Sequence, residues 1–249
     1  MDSHAIAAPG EAHLEHVEHE HPAYLRHHFE SVEQQREASA FGMWLFLLTE
    51  IMFFGGMFTA YLIYRNWYYP AFVAGSNTLN VWYGTINTAV LICSSFTMAM
   101  GVWCAEVRRK SGLVLFLVLT ILLGLVFLGI KYVEYSEKFE LHHVPGANFS
   151  IEKFVHPDDP AKTPALAPDM AAKTQVYFSL YFAMTGMHAL HMIIGISVLL
   201  FLVYRARQGA YTNGYVQPIE YFGLYWHFVD IVWIFLFPLL YLINRHPGK

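Results

Sequence analysis

Five apolar runs, each about as long as a hydrocarbon layer is thick, set the limits on this 249-residue sequence. They cover residues 41–64, 81–103, 113–130, 176–204 and 221–243, and of 15 basic and 19 acidic residues only Glu50 and Asp230 fall inside them. A helix needs about 20 apolar residues to cross roughly 30 Å of hydrocarbon, so each run is long enough or nearly so. The third continues through Lys131 to Tyr135, where a lysine at a helix end snorkels and a tyrosine joins the aromatic belt. The expectation is an all-α integral membrane bundle of five transmembrane helices, with spans at about 41–64, 81–103, 113–135, 176–204 and 221–243.

Composition supports two solvents in one chain. Hydrophobic residues make up 56% and charged residues 14%, against the roughly 25% charge usual in soluble domains. A net charge of −4 offers polyanions no grip, which sets nucleic-acid binding aside. Trp67, Tyr68, Tyr69, Trp82, Tyr83, Trp103 and Tyr204 gather at span ends, as interface anchors do.

Residues 1–40 form a polar, histidine-rich tail with neither the basic start nor the apolar core of a cleaved signal. Its histidines suit divalent metal ions, although a solvated acidic tail needs none. For orientation, Arg108, Arg109 and Lys110 lie in one short connection and Arg205 and Arg207 in another, against Arg65 alone in the first. The positive-inside rule then places the N-terminus in the cytoplasm and the C-terminus on the outer, periplasmic side. The membrane domain spans 41–249 and includes a long outer loop at about 136–175, read as either an ordered cap or a mobile loop. Cys93 and Cys104 lie about 16 Å apart along one helix, too far to bond, and read as small buried hydrophobes.

Ionisable groups inside the spans carry the functional information, because each is costly there unless neutralised or paired. They are Glu50, His188, His191, His227 and Asp230. Counted from the cytoplasmic edge, Glu50 and Asp230 lie about 14 Å deep and His191 about 20 Å, so acids of the first and fifth helices can meet histidines of the fourth. By spacing, His188 and His191 share one face, and His227 and Asp230 another. Three readings stay open: a metal or haem site, for which no spacing here is diagnostic; polar ties between helices; and a proton-linked or lipid-headgroup role. Small residues in "FFGGMF", "TGMHALHMIIGIS" and "TINTAVLICSS" fit close helix contacts.

The strings "GMWLFLLTEIMFFGGMFTAYLIYR", "TINTAVLICSSFTMAMG", "GLVFLGIKYVEYSEKF", "YFAMTGMHALHMIIGI" and "YWHFVDIVWIFLFPLLYLI", in this order from about Phe29 to Asn244, strongly resemble subunit III of haem-copper terminal oxidases. The resemblance implies a non-redox subunit of a proton-pumping cytochrome c oxidase that reduces oxygen to water in aerobic respiration. It implies no catalytic or metal-binding residue in this chain, haem and copper in partner subunits, and bound structural phospholipid. Its partners would be oxidase subunit I directly, the other oxidase subunits, membrane lipids and a larger respiratory supercomplex, in a bacterial inner membrane. Residue by residue, the likeness points to Glu50, Glu134, His188, His191, His227 and Asp230 as buried polar, lipid-linked or proton-linked positions. Apolar residues beside Glu50, namely Phe46, Phe53, Phe54 and Met57, would order acyl chains next to subunit I.

The mitochondrial form has seven spans, and here a polar tail stands where the first two would be, so the resemblance is to the five-span bacterial form. Subunit III of a quinol oxidase and an accessory protein of nitric oxide reductase remain as alternatives. A histidine-rich metal transporter is a further one, but it calls for interrupted half-helices, and these spans are continuous apart from Pro238.

Overall fold

The computed structural model describes residues 29, 31–146, 148–157, 163, 165–211 and 215–243. Among them there are eight helices and no strand: α1 (Val32–Trp67), α2 (Tyr69–Asn77), α3 (Val81–Glu106), α4 (Lys110–Glu140), α5 (Glu152–Val155), α6 (Pro168–Ala172), α7 (Thr174–Arg207) and α8 (Gln217–Tyr241). Five stretches are long and apolar enough to cross a membrane, in α1, α3, α4, α6 to α7, and α8.

Helix α1 begins well before the apolar run. Ser31 caps it by accepting a hydrogen bond from the Gln34 N–H at 3.1 Å, and the S-x-x-Q spacing is the sequence form of a capping box. The first connection also contains α2, which starts with Pro70 in its first turn, where the missing N–H costs nothing. Gly75 of α2 lies so close to α7 that an added Cβ would collide with the ring of Tyr177. That contact seats α2 as a wedge instead of a free loop.

Helices α3 and α4 form a hairpin whose turn passes through Arg108 at φ 57° and closes with Arg109 N–H donating to the Cys104 carbonyl at 2.8 Å. Hydroxyls along α3 then stitch it to its neighbours. Trp233 Nε1 of α8 donates to Thr88 at 3.1 Å, Trp226 Nε1 donates to Ser94 at 2.9 Å, and Thr97 shares a 2.8 Å hydrogen bond with Thr120 of α4. These hydroxyls face two neighbours, Thr88 and Ser94 turning to α8 and Thr97 to α4. The small-residue string "TINTAVLICSS" thus supplies close, hydrogen-bonded contacts.

Burial rises from α1, where 17% of the most apolar stretch is buried, to α8, where 44% is. Helix α1 is the outer member, with Phe41, Trp44, Leu48, Ile51 and Met52 exposed. Gly55 and Gly56 have nothing within 4 Å of an added Cβ, so "FFGG" makes no close contact within this chain, contrary to the expectation. Gly195 of α7 does, with Cζ3 of Trp226 only 2.9 Å from an added Cβ. Cys93 is exposed and only Cys104 is buried, which corrects the reading of both as buried.

The third connection is shorter than its loss of hydropathy suggests, because α4 runs to Glu140 and α6 starts at Pro168. Its described part folds as a cap. Phe149, Phe154 and Phe178 enclose His143, and the Leu166 N–H donates to the Phe154 carbonyl at 2.9 Å.

Candidate functional site

Glu50 of α1 and His191 of α7 meet, Oε2 to Nε2, at 3.0 Å. Nδ1 of His191 lies 2.8 Å from the Met187 carbonyl. A carbonyl oxygen only accepts, so Nδ1 carries hydrogen, and a second proton lies on the Nε2–Oε2 line. The pair is either a neutral acid donating to a neutral imidazole or a carboxylate accepting from an imidazolium. Both forms have zero net charge, which is what partial burial inside a membrane requires. Phe54 packs on the His191 ring at 5.3 Å, and Tyr225 of α8 donates to the His191 carbonyl at 2.9 Å. The pair opens into an apolar groove of about 440 Å³ lined by Met43, Phe46, Ile194, Val198 and Tyr225. Phe46 and Phe53 are exposed while Phe54 is buried, so the expectation that all flank an acyl-chain surface fails for Phe54. It faces His191 and Phe228 instead.

Glu134 is the centre of a second cluster, one whose cation was misread from sequence. Lys131 does not snorkel: it is 4% exposed and pairs with Glu134 Oε2 at 2.9 Å, within one helical turn. Tyr241 and Tyr181 donate to Glu134 Oε1 at 2.6 and 3.0 Å, and Lys131 Nζ reaches both phenol oxygens at 3.0 and 3.1 Å. The ammonium also lies 5.0 to 5.7 Å from the ring centres of Tyr135, Tyr181, Trp233 and Tyr241. Rings and hydrogen bonds replace much of the hydration both charges lose. The cluster ties α4 to α7 and α8. Glu134 three residues on was the signal for an in-helix partner.

His188 does not share the fate of His191. Three residues turn a helix by 300°, which leaves the two side chains 60° apart on the inner side of α7, near enough to share a face yet set against different neighbours, α4 and α8 for His188 and α1 for His191. His188 is fully buried between Phe127 and Trp233, with ring centres at 5.2 and 5.3 Å. Neither of its nitrogens has a hydrogen-bond partner among the described residues, and the same holds for Asn87 and for both carboxyl oxygens of Asp230.

His227 and Asp230 do share a surface. Nδ1 of His227 lies 2.7 Å from the Ser95 hydroxyl of α3, and both residues line a pocket of about 430 Å³ between α3 and α8. Asp230 therefore does not join Glu50 and the α7 histidines in one site. The polar groups divide into a paired groove, a buried charge cluster and a side pocket. Among the described residues no three His, Cys, Asp or Glu side chains converge as a metal site. The histidine-rich segment before residue 29 lies outside the described residues.

The chain as a whole is similar to known proteins. The family model of cytochrome c oxidase subunit III matches residues 16–156 and 167–244. A Synechocystis protein named cytochrome c oxidase subunit 3 is 32% identical over 244 residues, covering 97% of this chain and 84% of that one. Its namesake in Thermostichus vulcanus is 30% identical over 205 residues, covering 82% and 87%. A Nocardia farcinica protein named probable cytochrome c oxidase subunit 3 is 30% identical over 203 residues, with the same coverage. Matched across nearly its whole length, with five membrane-crossing helices, this chain belongs to the cytochrome c oxidase subunit III family.

Proposed function

We propose that this chain is the non-redox subunit III of a proton-pumping haem-copper terminal oxidase, with cytochrome c as electron donor. It lies beside subunit I in a bacterial inner membrane, N-terminus in the cytoplasm and C-terminus outside, and also meets other oxidase subunits and a larger respiratory supercomplex. Haem and copper in the partner subunits carry the electrons and reduce oxygen. This chain supplies surroundings: lipid and oxygen access, support for proton uptake, and stability during turnover.

The observation that carries this reading is the zero-charge Glu50–His191 pair at the wall of an apolar groove beside the exposed face of α1. Such a groove takes acyl chains, and dioxygen partitions favourably into hydrocarbon. The pair keeps one exchangeable proton on the Nε2–Oε2 line without placing a bare charge in the bilayer. Glu134, His188, His227 and Asp230 are assigned to polar ties and proton-linked positions on the same physical ground, that isolated ionisable groups are rare in spans unless used.

The test is the whole oxidase with and without this chain. With it removed, haem reduction in the first turnovers stays near normal, proton uptake slows at higher pH, and oxygen consumption declines progressively. Immediate loss of haem reduction would assign it an electron-transfer role, and unchanged activity over many turnovers would leave it a structural part only.

A further inference from the structure

The pocket between α3 and α8 has walls that face outward and a floor that does not. Phe96 is 65% exposed, and Ile92 and Ile231 are similarly open, whereas Leu91 and Asp230 below them are buried. Asp230 is 3% exposed, lines the pocket, and has no partner for either oxygen among the described residues. A buried carboxyl normally finds a partner, so an orphan aimed into a pocket of about 430 Å³ points to a group supplied from outside the chain.

Depth decides what that group is. Asp230 is near the middle of Gln217–Tyr241, about 17 to 20 Å along the axis from either end of α8. A phospholipid anchored by its phosphate at the interface cannot bring that headgroup to it, and a cation would have to leave water entirely. An unpaired charge is equally costly there, so the carboxyl meets its ligand as a neutral acid, with one O–H to donate and one carbonyl oxygen to accept. Its complement is an uncharged oxygen: a hydroxyl, which can donate and accept, or a carbonyl, which accepts. His227, fixed by Ser95, forms a second polar edge of the same pocket, and the remaining lining is apolar.

We propose that this pocket binds an uncharged lipophile from the bilayer whose hydroxyl or carbonyl oxygen pairs with Asp230. Two sources share that chemistry, a long-chain membrane alcohol and a quinone-type ring. Either would enter sideways past Phe96 and Ile231. The site is separate from the Glu50–His191 groove and involves no electron transfer.

The full chain in phospholipid nanodiscs is titrated with 1-hexadecanol in one arm and with decyl-1,4-benzoquinone and its quinol in the other. Infrared difference spectra follow the carboxylic-acid carbonyl stretch. The expected result is saturable binding of one molecule per chain in at least one arm, with a shifted acid band that Asp230→Asn abolishes. The responding arm identifies the source. Ala99→Trp fills the pocket from an exposed position without touching Asp230, and should weaken binding at least tenfold. Partitioning without saturation, an affinity unchanged in Ala99→Trp, or an acid band indifferent to every probe overturns the proposal. So does a Phe96→Cys cross-link in the intact oxidase to a partner helix seated over the pocket.

Discussion

His191 holds Glu50 with one ring nitrogen and the Met187 carbonyl with the other, at 3.0 and 2.8 Å, so it joins α7 to α1 through a single proton whose position is not fixed by charge. Glu50→Gln retains a donor toward Nε2 and should cost at most about 1 kcal/mol, whereas Glu50→Leu strands the imidazole and should cost about 1–3 kcal/mol. Thermal unfolding of the chain in nanodiscs distinguishes them. Equal losses for the two variants would show that the carboxylate charge, not the hydrogen bond, holds α1.

The buried Lys131–Glu134 pair makes a different prediction, because removal of one partner leaves the other charge uncompensated. Lys131→Met or Glu134→Gln alone should destabilise by about 3–5 kcal/mol, and the two together by clearly less than the sum. A double-mutant cycle measures the coupling. Additive losses would mean that the two charges do not depend on each other.

His143 sits outside the spans, buried among phenylalanines, and burial, with help from Lys138, Lys153 and His142, pushes its imidazole down to about 4. In the unfolded chain it titrates near 6.5, so below that pH the unfolded state binds the extra proton. Stability should be level above about pH 6.5 and fall as pH drops toward 4, by at most about 3 kcal/mol from this group. His143→Leu should flatten that part of the profile. A melting profile between pH 7 and 4.5 that is unchanged by the substitution would assign the slope to other groups.

Glycine positions separate close contact from open surface. Gly75→Ala pushes a methyl group into the fully buried ring of Tyr177 and should cost about 1–3 kcal/mol. Gly55→Ala meets nothing and should stay within about 0.5 kcal/mol. Comparable destabilisation would mean that Gly55 packs closely against another part of the chain.

The spans were legible because hydropathy alone decides which segments cross a bilayer, and the resemblance covers the same five blocks. The meeting of Glu50 with an α7 histidine follows from matched depth. What depth cannot report is rotation about the helix axis, which is why His188 and His191 separate and why Asp230 turns toward α3. Lys131 was misplaced because the end of an apolar run was taken as the end of the membrane, while α4 continues to Glu140. Helix α2 and the early start of α1 were signalled locally, by Pro70 and by Ser31 with Gln34, but neither has an apolar run to announce it.

The spacing of Lys131 and Glu134 bears on how the chain is made. Because they are three residues apart on one helix, α4 can enter the membrane with its counter-charge already attached, as a unit of zero net charge, before any other segment has arrived. Had the partner been on α7, insertion of α4 would have had to wait for a helix synthesised later. Tyr181 and Tyr241, on α7 and α8, are synthesised later and in the finished fold both donate to Glu134. The order of synthesis therefore lets the charges most hazardous to insertion be neutralised before their later partners exist.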